Sequence, residues 1–188
     1  MASQRGKPDI TPPFGFNRII TPHNYESRII DLLGVKYVLS LTELKSDKLK
    51  IVFQEGDTRI YENIKVLPRA FFVKKVIVSS DKRDIIAKMF DERLSLSDNA
   101  FVESENNDLS MDTIKVGKAI IDEYSPNKII IHTENTNDGF LVLTDTYYPI
   151  WHARIDGKES TILKTDYTFR GIFVPKGEHE IVYSASIL

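Results

Sequence analysis

The sequence predicts an α+β protein that is mainly β: a small N-terminal α/β lobe followed by an antiparallel β-sandwich of jelly-roll-like or immunoglobulin-like type. Three observations carry the prediction. Apolar residues recur at helical spacing in only two short stretches, Tyr25 to Leu33 and the segment DKRDIIAKMFDERL. After Asp112 the chain reads as short runs rich in β-branched and aromatic residues, divided by turn chemistry at Ser125-Pro126-Asn127, Asn137-Asp138-Gly139, Asp156-Gly157 and Lys176-Gly177. With 188 residues, the chain is large enough to bury roughly 70% of its unfolded surface without staples.

Taken in order, residues 1–22 (PDITPPFGF within them) are rich in Pro, Gly and Thr and read as an extended lead-in that packs by Phe14 and Phe16. A small α+β lobe is expected over 23–98. It begins with a helix from Tyr25 to Leu33, stopped by Gly34, and a strand from Val35 to Ser40. KLKIVFQEGDTRIYEN then reads as a hairpin turning at Glu55-Gly56-Asp57. LPRAFFVKKVIVSS favours strand, and Asp81 is placed to cap the helix carrying Ile85, Ile86, Met89 and Phe90. The polar stretch from Leu94 to Asp112 reads as a surface linker between lobes, leaving 99–188 as the sandwich.

Within the sandwich, the two-residue Asp156-Gly157 loop fixes a register. It opposes Ile155 to Lys158, Arg154 to Glu159, Ala153 to Ser160, His152 to Thr161 and Trp151 to Ile162. Trp151, Ala153 and Ile155 then share the apolar face, with His152 and Arg154 on the other. GFLVLTD is apolar on both faces and so is expected to be covered on both, and Pro149 cannot continue a ladder. The cluster of Tyr147, Tyr148 and Trp151 reads first as core or corner packing. A sugar-stacking platform is the alternative.

Several chemistries find no support. Net charge is −2, from 25 basic and 27 acidic residues, so no basic footprint for nucleic acid exists. Cysteine is absent, which excludes disulfides and thiolate sites. His23, His132, His152 and His179 stand in none of the spacings that preorganise a metal, so no metal and no cofactor are expected. GxSxG, GxGxxG and P-loop patterns are missing. Asp145, Asp156 and Asp166 could supply paired carboxylates for glycoside hydrolysis, but turns and strand ends explain them better. No apolar run is long enough to span a bilayer, and the first residues lack a signal-peptide stretch.

The order of segments carries a further clue. LLGVKYVLS, RIYEN with LPRAFFV, a helix ending near MFDE, then a YYPxW-x(4)-DG block followed by FRG-x(3)-P-x-G-x-H, resembles the C-terminal extracytoplasmic region of YfhO-type bacterial membrane proteins. The likeness runs from about Ile29 onward. It implies a polytopic, GT-C glycosyltransferase-like parent that uses lipid-linked sugars on envelope glycans, with this chain as an accessory domain that is not itself an enzyme. The implied location is the extracytoplasmic face of the membrane, between spans that precede and follow. The implied partners are the transmembrane part of the same parent and a glycan. No catalytic residue carries over, since the family's catalytic acid lies in membrane loops. Candidate ligand-binding residues are Tyr147, Tyr148, Trp151, Arg69 and Arg170. The two arginines are the motif residues least required by folding, and a guanidinium suits phosphate or carboxylate, although a strand-crossing ion pair is the commoner use. Where the family usually has glycine between Pro and Trp, this chain has Ile150, so a strained or rebuilt turn is expected there.

Overall fold

The computed structural model describes residues 25–112 and 117–185, so the lead-in expected over 1–22 lies outside the described residues. The described chain forms two compact units, one of residues 25–31 and 35–66, the other of 32–34 and 67–185.

In the first unit, helix α1 (Arg28–Leu32) is shorter than expected because Ser27 takes the capping role, its Oγ accepting the Ile29 N–H at 3.2 Å. Gly34 ends it in the left-handed region, φ +73°. Strands β1 (Tyr37–Ser40), β2 (Leu49–Glu55) and β3 (Thr58–Asn63) form a sheet in the order β1-β3-β2, with the expected hairpin turning at Gly56-Asp57. One buried polar knot anchors it. The Asp31 carboxylate accepts from Lys48 Nζ and from Asn63 Nδ2, both at 2.7 Å, so the buried ammonium is paired.

The second unit contains β4 (Ala70–Val73), β5 (Lys75–Ser79), helix α2 (Lys82–Phe90), β6 (Asn99–Glu103) and β7 (Met111–Asp112). They are followed by β8 (Gly117–Ser125), β9 (Lys128–Asn135), β10 (Gly139–Leu143), β11 (Trp151–Ile155) and β12 (Lys158–Ser160). The last three strands are β13 (Leu163–Thr165), β14 (Phe169–Val174) and β15 (Gly177–Ala185). Asp81 caps α2 as expected, accepting the Arg83 N–H at 2.8 Å.

The β-sandwich is there. A seven-stranded sheet, β4-β10-β14-β13-β6-β5-β7, faces a five-stranded one, β12-β11-β15-β9-β8. Phe72, Leu141, Leu143, Ile172 and Val174 from the first interdigitate with Ile129, Ile131, Ala153, Ile181 and Tyr183 from the second. Among the described residues every ladder is antiparallel except β5 with β6, which α2 joins as a parallel crossover. Strand β10, apolar on both faces, lies between β4 and β14 and is buried throughout.

Two expectations are corrected. The linker placed over Leu94 to Asp112 contains β6, whose Ala100, Phe101 and Val102 are fully buried. Three apolar residues inside a polar run are too few to register as a period, yet pairing with β5 and β13 buries them from both sides. The division between lobes accordingly falls near residue 66 rather than at 98, because β4 and β5 hydrogen-bond into the sandwich.

Candidate functional site

The Asp-Gly hairpin positions the aromatic block. Asp156 (φ +50°) and Gly157 (φ +78°) are both left-handed, as a type I′ turn requires. Ile155, Arg154 and Ala153 pair with Lys158, Glu159 and Ser160 in the expected register. Trp151 is half-buried against the sandwich core, while His152 and Arg154 are exposed on the outer face. The turn before it is rebuilt rather than strained. Trp151 N–H donates to Tyr148 O at 3.1 Å, and the left-handed non-glycine positions among the described residues are Asp156, Asp166 and Tyr167, not Ile150.

Behind the indole stands Arg170. It sits on β14 opposite Leu143, is 3% exposed, and reaches between the sheets until its guanidinium carbon lies 3.9 Å from the indole centroid and 6.0 Å from the Tyr183 ring. Its Nε donates to Thr146 O at 3.0 Å, and its Nη1 is buried without a protein acceptor. Burial pulls the guanidinium pKa below its ordinary value, an effect that the nearby Asp145 carboxylate opposes. The Tyr183 hydroxyl, also buried and without a partner, is pushed up by the same desolvation.

Arg69, just before β4, makes the strand-crossing ion pair. Its Nη1 donates to Asp145 Oδ1 at 2.7 Å, and the Tyr124 hydroxyl donates to the same carboxylate at 3.0 Å. The Arg69 guanidinium also lies 5.0 Å from the Tyr124 ring centre. Burial, then the Asp145 charge, raises the Tyr124 pKa. Two arginines, one carboxylate and three aromatic rings thus meet at one end of the sandwich.

Of the five candidate residues, Arg69, Arg170 and Trp151 are brought to this end. Tyr147, half-buried, is tied to the β13–β14 loop through its N–H to Thr168 O at 2.7 Å. Tyr148 is 59% exposed. Tyr147 and Trp151, both half-buried, line one small concavity, Tyr148 stands outside it, and one face of the indole is already taken by Arg170.

Tyr124 and Tyr183 escaped sequence reasoning. A bulge between Ile121 and Glu123 switches the face of β8, so that Tyr124 sits opposite buried Ile129 where simple alternation would turn it outward. The only hint was the apolar alternation in AIIDEY, which breaks at that point.

The other carboxylates weighed earlier hold backbone. Asp156 accepts from Glu180 N–H at 3.0 Å and contacts His179 Nδ1 at 2.6 Å, and Asp166 accepts from Phe101 N–H at 2.8 Å. Among the described residues no group of three or more His, Asp or Glu is placed to hold a metal ion.

A two-sheet β-sandwich with a parallel crossover near one edge and a tryptophan over a buried arginine defines a β-sandwich domain in which Arg69, Tyr124 and Asp145 pair with one another, while Arg170 Nη1 and the Tyr183 hydroxyl stay buried without a partner. The sequence profile of the bacterial membrane protein YfhO family matches residues 78–184, more than half of the chain. The protein belongs to the YfhO family of bacterial membrane proteins. Neither a curated protein nor a solved structure matches it. Among the described residues no helix is long and apolar enough to cross a membrane.

Proposed function

We propose that this chain is the extracytoplasmic, non-catalytic accessory domain of a polytopic glycosyltransferase-like membrane protein. In this reading it seats an envelope glycan acceptor over the transmembrane part of the same parent, which carries the chemistry and uses lipid-linked sugar donors. The observation that carries the reading is the YfhO family profile, lying on a sandwich whose outer face is built for water. His132, Glu134, Arg154, Glu178 and Glu180 stand exposed there on adjacent strands β9, β15 and β11, alternating with buried Ile131, Ala153 and Ile181. Charged side chains on the outside of a sheet are costly in hydrocarbon and ordinary in water.

The test uses the full-length parent. Deleting the segment that corresponds to residues 67–185 is expected to leave the parent inserted in the membrane and to abolish sugar transfer to the envelope acceptor. Undiminished transfer would contradict the accessory role. Protease added outside intact protoplasts is expected to cleave the domain's exposed loops, and protection until lysis would contradict the extracytoplasmic placement.

A further inference from the structure

The Asp156-Gly157 turn and the P-x-G-x-H run of residues 175–179 are separate in sequence, yet they meet on one imidazole. His179 stands third in β15, on the parity of buried Ile181 and Tyr183, with its side chain only 14% exposed. Its Nδ1 lies 2.6 Å from Asp156 Oδ2 and its Nε2 lies 3.2 Å from Lys176 O. A carboxylate and a carbonyl both accept, so both ring nitrogens must donate, and only the imidazolium can do so. The neutral ring has one N–H and serves one of the two acceptors. Gly177, at φ +128°, leaves room for the ring, since a Cβ there would come 3.2 Å from Nε2.

The two bonds of the ring join two turns. Asp156 belongs to the β11–β12 turn and is tied to β15 twice more: its N–H donates to Glu180 O at 2.9 Å and its Oδ1 accepts the Glu180 N–H at 3.0 Å. Lys176 belongs to the connection from β14 to β15, where the chain passes from the seven-stranded sheet to the five-stranded one. The β9–β10 turn holds that connection from the other side, Asp138 Oδ1 accepting the Lys176 N–H at 2.9 Å and Asn135 Nδ2 donating to Pro175 O. Other charged groups nearby leave the ring alone. Lys158 adds a positive charge beside Asp156, and Thr133 Oγ1 on β9 donates to the His179 carbonyl at 3.4 Å. Glu134, Glu178 and Glu180 project from the outer face, Glu180 toward His132 Nε2 at 3.8 Å. Among the described residues, the carboxylate in contact with the His179 ring is that of Asp156.

We propose that His179 is a pH-sensitive clasp: charged, it locks the β14–β15 connection to the β11–β12 turn, and on losing its proton it releases the connection at Lys176. The Asp156 carboxylate raises the pKa of the ring above its ordinary value, with burial opposing, and the ring in turn holds Asp156 below the usual carboxylate range. A histidine whose folded pKa is raised stabilises fully below its unfolded value of about 6.5, and that contribution is lost as pH rises through the folded value. A carboxyl whose folded pKa is depressed stabilises fully above about pH 4 and fails only as pH falls further. The clasp is therefore closed between about pH 4 and 6.5 and opens on the alkaline side.

The test is an NMR titration of the ¹⁵N-labelled full chain from about pH 5 to about pH 9. The His179 ring nitrogens are expected to carry imidazolium shifts at the acid end and to titrate with a midpoint above about 6.5. The Lys176, Gly177 and Gly157 amides should move with that same midpoint. Asp156→Asn, which tolerates the left-handed turn, should lower the midpoint by about one pH unit, a tenfold loss of proton affinity. His179→Gln, which carries no titrating group, should remove the shared transition from the turn amides. A His179 midpoint at or below about 6.5 would overturn the charged clasp, and a raised midpoint with motionless turn amides would overturn the release. The titration of the native chain decides by itself if either variant fails to fold.

Discussion

Two hairpins of the sandwich turn on an aspartate held in the left-handed region, and they treat it in opposite ways. In the β11–β12 turn, Asp156 is exposed, and His179 and the Glu180 N–H hold its carboxyl below the usual range, the His179 contact contributing most. In the β13–β14 turn, closed by Thr168 N–H to Thr165 O at 3.1 Å, Asp166 is 1% exposed and burial pushes its pKa to about 7, the Phe101 N–H opposing only in part. Backbone geometry is nearly the same in both, with φ of +50° and +48°. The difference teaches that turn chemistry fixes a local shape while the surrounding layers decide the charge. Asp166 ties β13 to β6 across the middle of a sheet, whereas Asp156 trims an outer corner.

The glycines beside these turns should break the comparison most visibly. A Cβ at Gly171, opposite Leu163 in the β13–β14 ladder, would lie 2.3 Å from the Phe140 ring and 2.4 Å from Thr165 Oγ1. Gly171→Ala is expected to cost about 3 kcal/mol, read as a lower denaturation midpoint, because the rings around it have little room to shift.

The next effect is electrostatic. A carboxyl whose folded pKa lies above its unfolded value holds its proton better in the native state, so its contribution to stability is greatest below about pH 4 and is lost as pH rises through about 7. Asp166→Asn keeps the Phe101 acceptor and tolerates the left-handed turn. It should flatten the decline of stability between those pH values by roughly 1–3 kcal/mol, measured as the difference in unfolding free energy between acid and neutral pH. An unchanged slope would mean that the carboxyl is hydrated.

Smaller still is Gly157→Ala. Nothing lies within 4 Å of its added Cβ, so the loss is only the left-handed strain, about 1–2 kcal/mol. A cost at Gly157 equal to that at Gly171 would erase the distinction between outer and inner hairpins.

What was legible in the sequence follows the same division. The Asp156-Gly157 register, the Asp81 cap and the double-sided β10 could be read because each depends on neighbours in the chain. Strand β6 and the lobe boundary could not, because Phe101 is buried by strands from both sides of it in sequence, and three apolar residues carry no period. At the site, Arg69 and Arg170 stood out because folding alone had no need of a guanidinium at either place. Their companions stayed hidden: Tyr124 is aimed by a bulge, and Tyr183 reads simply as a core ring in HEIVYSA until Arg170 is found beside it. The departure at Ile150 predicted a problem that a simple Tyr148–Trp151 turn removes.

The central claim is that the aromatic block is structural, with the indole at 151 clamped on one face and half-open on the rest. Trp151 is the chain's only tryptophan, so acrylamide quenching of its emission reports on that ring alone. The expected quenching is well below that of free tryptophan yet measurable, and it rises in Arg170→Met, which keeps the buried stem and removes the guanidinium over the ring. Quenching as efficient as for the free amino acid, unchanged by that substitution, would contradict the clamp and with it the account of this corner.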